Sequence, residues 1–189
     1  MASLIKGRHK KTARDIDGIL IIFSIAIGLI SGILRPLFFD EDTLALLVNN
    51  LRHFTETFNA SELSLTILAE SLIRYGRPLL LIWACAVLPK AYYAGFLVLY
   101  LRAMTFGFST AMMVHAFGGQ GLLMAATLYG LQNLIIIPFY AFTVYFIARN
   151  LPSRQNRRKI IKMVVIGAAV VVMVSIIEVY IGGSPIAQP

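Results

Sequence analysis

The sequence predicts an all-α, polytopic membrane protein with about five transmembrane helices. Of its 189 residues, 58% are hydrophobic and only 14% are charged, and the mean hydropathy is +0.78. A soluble domain of average composition carries about 25% charged residues, which it needs in order to cover its surface. Basic clusters beside long apolar segments are the second indication. Together these observations exclude a soluble globular enzyme.

Five apolar segments are candidate spans, because a transmembrane helix needs about 20 largely apolar residues. They are residues 16–34, 78–88, 91–117, 121–148 and 160–181. The second is short, so either its helix extends back through Leu72 and Ile73, with Arg74 and Arg77 at the membrane interface, or it forms a re-entrant hairpin with the third. The fourth is long, and Pro138 is expected to kink it. Glycines in 118–121 predict the turn before it. Residues 78–181 are thus expected to form a four-helix membrane domain.

The distribution of charge predicts the orientation of the chain. Twelve of the 17 basic residues fall in the segments that are inside if the N-terminus is inside, namely 1–15, the region around 90 and 149–162. The long segment 35–77 holds four basic and six acidic residues. This asymmetry predicts a cytoplasmic N-terminal tail and an extracytoplasmic tail at 182–189. The net charge of +8 is therefore assigned to membrane lipids and orientation; no motif accompanies it that would indicate nucleic acid.

Residues 37–77 are predicted to form an extracytoplasmic module of two amphipathic helices. The acidic residues 40–42 suit a helix start, and a capping-box spacing from Asn59 to Glu62 predicts a second helix, which Gly76 would end. Apolar residues at spacings of three and four form a stripe on the first helix: Leu44, Leu47, Leu51, Phe54 and Phe58. Either these helices rest on the membrane or the bundle, or they also form the docking surface for an extracytoplasmic partner; the two are compatible.

Four polar residues inside the apolar spans are candidates for function, because a polar or charged group in lipid is costly unless it is paired or hydrated. Arg102 either anchors a broken helix or lines a path for a substrate or ion. Gln132 and Asn133 are expected to bond across helices or to backbone that Pro138 frees. Glu178 is close enough to the outer boundary to be hydrated.

Two ladders of small residues at a spacing of four predict close helix packing, within one chain or between copies as a homo-oligomer. The first span carries Ser24, Gly28 and Gly32, and the third carries Ala103, Gly107 and Ala111.

No catalytic residue, cofactor or metal site is predicted. The histidines show no metal-binding spacing with each other or with cysteine. Ser109 and His115 share one span, but six residues place them about 120° and about 9 Å apart on a helix. A nucleophile and its base need about 3 Å, so an intramembrane enzyme would require a broken helix that brings these two side chains together.

Four motifs lie in the last four spans. They are Leu81-Ile82-Trp83-Ala84-Cys85 followed by Leu88-Pro89, the run from Leu101-Arg102 to Gly107-Phe108, the run from Gln132-Asn133 to Pro138, and Ile177-Glu178-Val179-Tyr180. In these motifs the chain resembles the stage II sporulation protein M family of membrane proteins, over residues 78–181. Many broader relatives carry a His and a Glu at the positions of Gln132 and Ile136, a departure that points to the sporulation branch.

The resemblance implies a non-catalytic scaffold in the cell membrane, at the septal and engulfing membrane of sporulating cells. Such proteins hold peptidoglycan-degrading partners, the stage II sporulation proteins D and P, which thin the septal wall during engulfment of the forespore. Residues 37–77 would then face the wall beside these partners. The alternative is a channel or transporter subunit with a polar path lined by Arg102, Gln132, Asn133 and Glu178.

Overall fold

A computed structural model describes residues 2–57, 65–87, 93–150 and 157–182, and every regular element in these ranges is helical. The elements are α1 (Ala2–Leu34) with a 3-10 turn (Arg35–Phe38), α2 (Glu41–Thr57), α3 (Leu65–Val87), α4 (Tyr93–Phe117), α5 (Gly119–Ala125) with a π-helical segment (Ala126–Gly130), α6 (Leu131–Asn150) and α7 (Arg157–Gly182). The predicted all-α class is therefore confirmed.

Four of these helical segments are long and apolar enough to cross a membrane. They are Ile16–Phe38, Tyr93–Phe117, Gly119–Arg149 and Ile161–Val179. They correspond to the first, third, fourth and fifth predicted spans, and they are the helices of a multi-pass membrane protein.

The α1 and α4 helices lie against each other through their small residues. A Cβ added to Gly28 would lie 2.5 Å from the carbonyl oxygen of Tyr100, and one added to Gly32 would collide with the carbonyl of Met104. A Cβ on Gly107 would lie 2.5 Å from the carbonyl oxygen of Leu29. The two predicted ladders therefore meet each other inside one chain, and the glycines let the two backbones touch.

The same contacts show that α1 and α4 run in the same direction. A step of four residues along α1, from Gly28 to Gly32, is matched by a step of four along α4, from Tyr100 to Met104. A chain that crosses twice in the same direction must return once in between. We expect α3 to be this return crossing, which would make five crossings in all.

The boundary expected between the outer module and the membrane domain is wrong, because α3 runs unbroken through Gly76 and Pro78. Gly76 does not end the helix: Tyr75 before it and Leu79 after it are both 2% exposed, so packing on both sides holds the backbone helical. The 11-residue second span is replaced by a helix of 23 residues, about 34 Å long. Of the two alternatives for the second span, the structure therefore shows the helix that extends back through Leu72.

The fourth span is preceded by the predicted glycine turn and contains an irregularity. Gly118 has φ +61°, a conformation that side chains with a Cβ rarely adopt. The irregular stretch is the π-helical segment 126–130, whereas α6 stays helical through Pro138 as far as Asn150. The π-helical segment, in which the helix is locally wider, therefore lies before Pro138 and does not include it.

The core lies between α3, α4, α6 and α7. Its buried apolar and aromatic side chains include Tyr75, Leu79, Ile82, Phe96, Leu99, Ile136, Tyr140, Val144, Val171 and Val174. Two tyrosine hydroxyls are therefore carried into an apolar interior, where each needs a hydrogen-bond partner.

Candidate functional site

Tyr75 of α3 is the centre of a polar layer within the bundle. Its spacing from Ser71 and Leu79, four residues on either side, places it on the buried face of α3. Its hydroxyl donates a hydrogen bond to the side-chain oxygen of Gln132 on α6, at 3.0 Å. The backbone carbonyl of Tyr75 accepts a hydrogen bond from the hydroxyl of Tyr140. Two polar contacts therefore join α3 to α6 in the core.

Arg102 lies beside the same tyrosine. The central guanidinium carbon is 4.9 Å from the centre of the Tyr75 ring, a cation–π distance. The α4 helix continues through Arg102, so the residue does not mark a broken helix. Its Nε is buried and has no hydrogen-bond partner among the residues that the structure describes. The charged guanidinium of Arg102 on α4 therefore lies against the face of the Tyr75 ring on α3.

Glu178 of α7 forms an ion pair with Arg74 of α3, with 2.9 Å between Oε1 and Nη1. The Glu178 side chain is only 16% exposed, whereas that of Arg74 is 50% exposed. Glu178 was expected to be hydrated by water, but its carboxylate is paired with a protein side chain instead. The other carboxylate oxygen of Glu178 and the hydroxyl of Ser175, one turn earlier, are buried and have no hydrogen-bond partner within the described part of the chain.

Asn133 is buried and bonds to its own helix. Its Nδ2 donates to the carbonyl of Tyr129, in the π-helical segment, at 2.7 Å. Neither Asn133 nor Gln132 bonds to the carbonyl of Leu134, the group that lacks an N–H donor because of Pro138. Of the four polar residues, the structure brings Arg102, Gln132 and Glu178 close to Tyr75, and it pairs Asn133 with its own helix.

The hydroxyl of Ser109 and the imidazole of His115 stay on one unbroken helix, so no break brings them together. Within the described ranges, no three His, Cys, Asp or Glu side chains lie where they could share a metal ion. The polar layer is therefore a set of hydrogen bonds and charges.

The start of α2 is fixed by Asp40. Its Oδ2 accepts a hydrogen bond from the hydroxyl of Thr43 at 2.9 Å and from the backbone N–H of Thr43 at 3.1 Å. Both hydrogen bonds lower the pKa of the Asp40 carboxyl below its ordinary value, and the bond from the hydroxyl has the larger effect. Asp40 thus caps the helix whose start the acidic residues 40–42 predicted.

Arg52 fastens α2 to one end of the bundle. Its Nε and Nη2 donate to the backbone carbonyl oxygen of Ala116, at 3.3 and 2.9 Å. Ala116 is next to the last residue of α4, where carbonyls have no partner within the helix. A cation at a helix C-terminus also complements the helix dipole. The α2 helix therefore lies at the end where both α1 and α4 finish.

The apolar stripe of α2 faces the bundle. Leu44, Leu47 and Leu51 are half-buried, whereas Leu46 on the other side is 60% exposed. The side chains of Phe54 and Phe58 lie outside the described part of the chain, as do Asn59 and Glu62. The residues proposed for docking thus attach α2 to its own protein, and the open face is the opposite one.

Sequence reasoning missed three members of the polar layer: Tyr75, Tyr140 and Arg74. The signal for Tyr75 was present, because Ser71, Tyr75, Leu79 and Ile82 recur at spacings of four, four and three. This stripe continues past Gly76, the residue that is predicted to end the helix. No pattern in the sequence pairs Arg74 with a residue on α7.

Comparison of the chain with known protein families, curated proteins and solved structures gives no match. What the fold and the polar layer define is an all-helical, multi-pass membrane protein, with four helices that can span the membrane and a further helix, α2, fixed across one end.

Proposed function

We propose that this protein is a non-catalytic membrane scaffold that holds peptidoglycan hydrolases outside the cell membrane, at the sporulation septum during engulfment. The observation that carries the proposal is the position of α2. Asp40 fixes its start, Arg52 fastens it to the end of α4, and its apolar stripe is turned inward. A helix held in this way presents a constant outer face, which suits a scaffold.

The open face of α2 continues the exposed apolar surface that precedes it. Leu37 and Phe38 are 70% and 84% exposed, and Leu46 follows on the helix. Exposed apolar groups beside the acidic residues Glu41 and Asp42 make a mixed surface of the kind that binds protein partners. The stage II sporulation proteins D and P are the partners that the family resemblance implies for this face.

Orientation supports the same proposal. The basic tail 1–15 and the basic segment 149–162 favour the cytoplasm. Because α1 and α4 run in the same direction, α2 then lies at the outer ends of both helices, next to the wall.

The test is recovery of the two partners with surface variants of α2. Leu46→Glu places a charge on the open face, and we expect it to reduce co-purification of both hydrolases from sporulating cells by about tenfold. Gln120→Glu, which adds the same charge to an exposed residue at the same end of the bundle but outside α2, is the control. Full recovery with a folded Leu46→Glu protein would show that α2 is not the docking surface.

A channel or transporter subunit is the second candidate. Arg102, Gln132 and Glu178 converge around Tyr75, and buried atoms of Arg102 and Glu178 have no hydrogen-bond partner. Cysteines introduced at 102, 132, 133 and 178, after Cys85→Ser, test this function with a water-soluble thiol reagent. Reaction from one side at successive positions would support a path, and unreactive positions would eliminate it.

A further inference from the structure

Arg77 lies on the face of α3 that turns away from the bundle. At 100° per residue it points about 160° away from the buried Tyr75, and its side chain is exposed. Among the residues that the structure describes, none gives Arg77 a hydrogen bond or an ion pair. Arg74, three residues earlier, is paired with Glu178.

The depth of this part of α3 follows from its neighbours. Tyr75 is level with Arg102, which lies next to Ala103, and a Cβ on Gly28 would lie 2.9 Å from the Cβ of Ala103. Gly28 is about 18 Å from one end of the apolar segment 16–34 and about 9 Å from the other. Tyr75 is therefore well inside the apolar thickness of the bundle.

Arg77 is about 3 Å further along α3 than Tyr75, away from the nearer end. It is twelve residues from Leu65 and ten from Val87, so neither end of α3 is near. Arginines at helix ends reach the membrane surface with their long side chains, but a residue in the middle of a helix is poorly placed to do so. An exposed cation at this depth is costly unless an opposite charge or water meets it.

The apolar neighbours of Arg77 form a seam for another helix. Ile73, Arg77, Leu80 and Ala84 recur at spacings of four, three and four, and all four are exposed. This is the spacing at which side chains of one helix pack into another, and a single polar residue in such a seam fixes its register.

We propose that this seam, residues 73, 77, 80 and 84, binds a transmembrane helix of another protein that carries an Asp or Glu at the depth of Arg77. Charge complementarity identifies the occupant. A second copy, related by an axis along the membrane normal, would bring Arg77 against Arg77, and like charges repel. Glu70 is about 10 Å away along α3 and cannot compensate. The inference does not rest on the proposed function, because depth and charge carry it whatever binds α2.

The test uses the full-length protein in phosphatidylcholine vesicles and a labelled transmembrane peptide of Leu and Ala. One peptide carries Asp at the depth of Arg77, a second carries Leu there, and a third carries Asp near the opposite surface. Energy transfer to a label on the N-terminus of the protein measures association. We expect the first peptide to bind roughly tenfold more tightly than the other two.

Variants of the protein locate the contact. Arg77→Leu is expected to remove the advantage of the Asp peptide, and Arg77→Lys to keep most of it. Arg77→Glu is expected to prefer a peptide with Lys at that depth. Arg35→Leu, which removes an exposed arginine at the end of α1, is the matched control and leaves binding unchanged.

Three outcomes would overturn the proposal. The first is equal binding of the Asp peptide by Arg77→Leu and the unmodified protein. The second is loss of the Asp advantage when phosphatidylglycerol is added, which would assign Arg77 to a lipid phosphate. The third is a cysteine at 77 that reacts with an aqueous reagent equally with and without the peptide, which would indicate a water-filled groove.

Discussion

The guanidinium of Arg74 and the carboxylate of Glu178, two residues 104 positions apart in the chain, join α3 to α7. Their shortest contact is 2.9 Å, and the carboxylate is the more deeply buried of the two groups. This ion pair connects α3, which also carries Glu70 and Arg77, to α7. It also places the one acidic residue of the last span where a cation can neutralise it.

Breaking the ion pair from one side is expected to destabilise the protein. Glu178→Gln leaves Arg74 without its counter-charge, and we expect a loss of about 1–3 kcal/mol, reduced from the cost of a fully buried pair because Arg74 is half-exposed. Unfolding in mixed detergent micelles measures the change. The double variant Arg74→Leu, Glu178→Leu is expected to recover most of the loss; a double variant as unstable as the sum of the singles would contradict the pairing.

The hydroxyl of Tyr75 is expected to contribute stability through Gln132. Tyr75→Phe leaves the side-chain oxygen of Gln132 without its donor, and the expected cost is about 1 kcal/mol. Gln132→Leu and the double variant complete a mutant cycle. We expect a coupling energy of at least about 0.5 kcal/mol; strictly additive changes would show that the hydrogen bond contributes nothing.

The contact between α1 and α4 is expected to tolerate no added methyl group. Gly28→Ala would place a Cβ 2.5 Å from a carbonyl oxygen, and we expect it to destabilise the protein by about 1–3 kcal/mol. Gly18→Ala on the same helix is the matched control, since nothing lies within 4 Å of its added Cβ. Equal thermal stability of the two variants would mean that the helices are further apart.

The cap of α2 is expected to depend on pH. Because the folded carboxyl of Asp40 has a lowered pKa, its stabilising effect is complete above the ordinary value of 3.8 and is lost as the pH falls through the folded pKa. Hydrogen exchange at the amide of Thr43 should therefore rise, after correction for intrinsic rates, between about pH 5 and pH 2. Asp40→Asn keeps a capping oxygen but cannot ionise, so its exchange should not change in that range.

If α3 crosses the membrane, as we expect, the chain makes five crossings and its two termini lie on opposite sides. Alkaline phosphatase fused after residue 189 is expected to be active, because it folds only outside the cytoplasm. The same enzyme fused before residue 1 is expected to be inactive. An inactive C-terminal fusion that is stably made would mean that α3 does not cross.

Local patterns were sufficient wherever local physics decides the structure. The four apolar spans, the turn at Gly118 and the cap at Asp40 could be predicted from composition, backbone freedom and helix-end chemistry. The second span could not. Gly76 and Pro78 are local signals for a helix end, and packing of Tyr75 and Leu79 against other helices overrides them.

The candidate site was predictable only in part. Arg102, Gln132 and Glu178 could be predicted as candidate site residues because polar groups in lipid are costly. The structure brings these three residues together. Their partners could not be predicted in the same way. Tyr75 has a side chain typical of a protein core, and Arg74 lies before the apolar run of its span. The direction of the α2 stripe was equally open, because an amphipathic pattern shows that one face is covered but not by what.

The distance along the chain between Arg74 and Glu178 has a consequence for biogenesis. Synthesis delivers α3 to the membrane about 100 residues before Glu178 is made, so Arg74 enters without the partner that it has in the finished protein. We therefore expect α3 to be less stably inserted in a nascent chain arrested before α7 than in the complete protein.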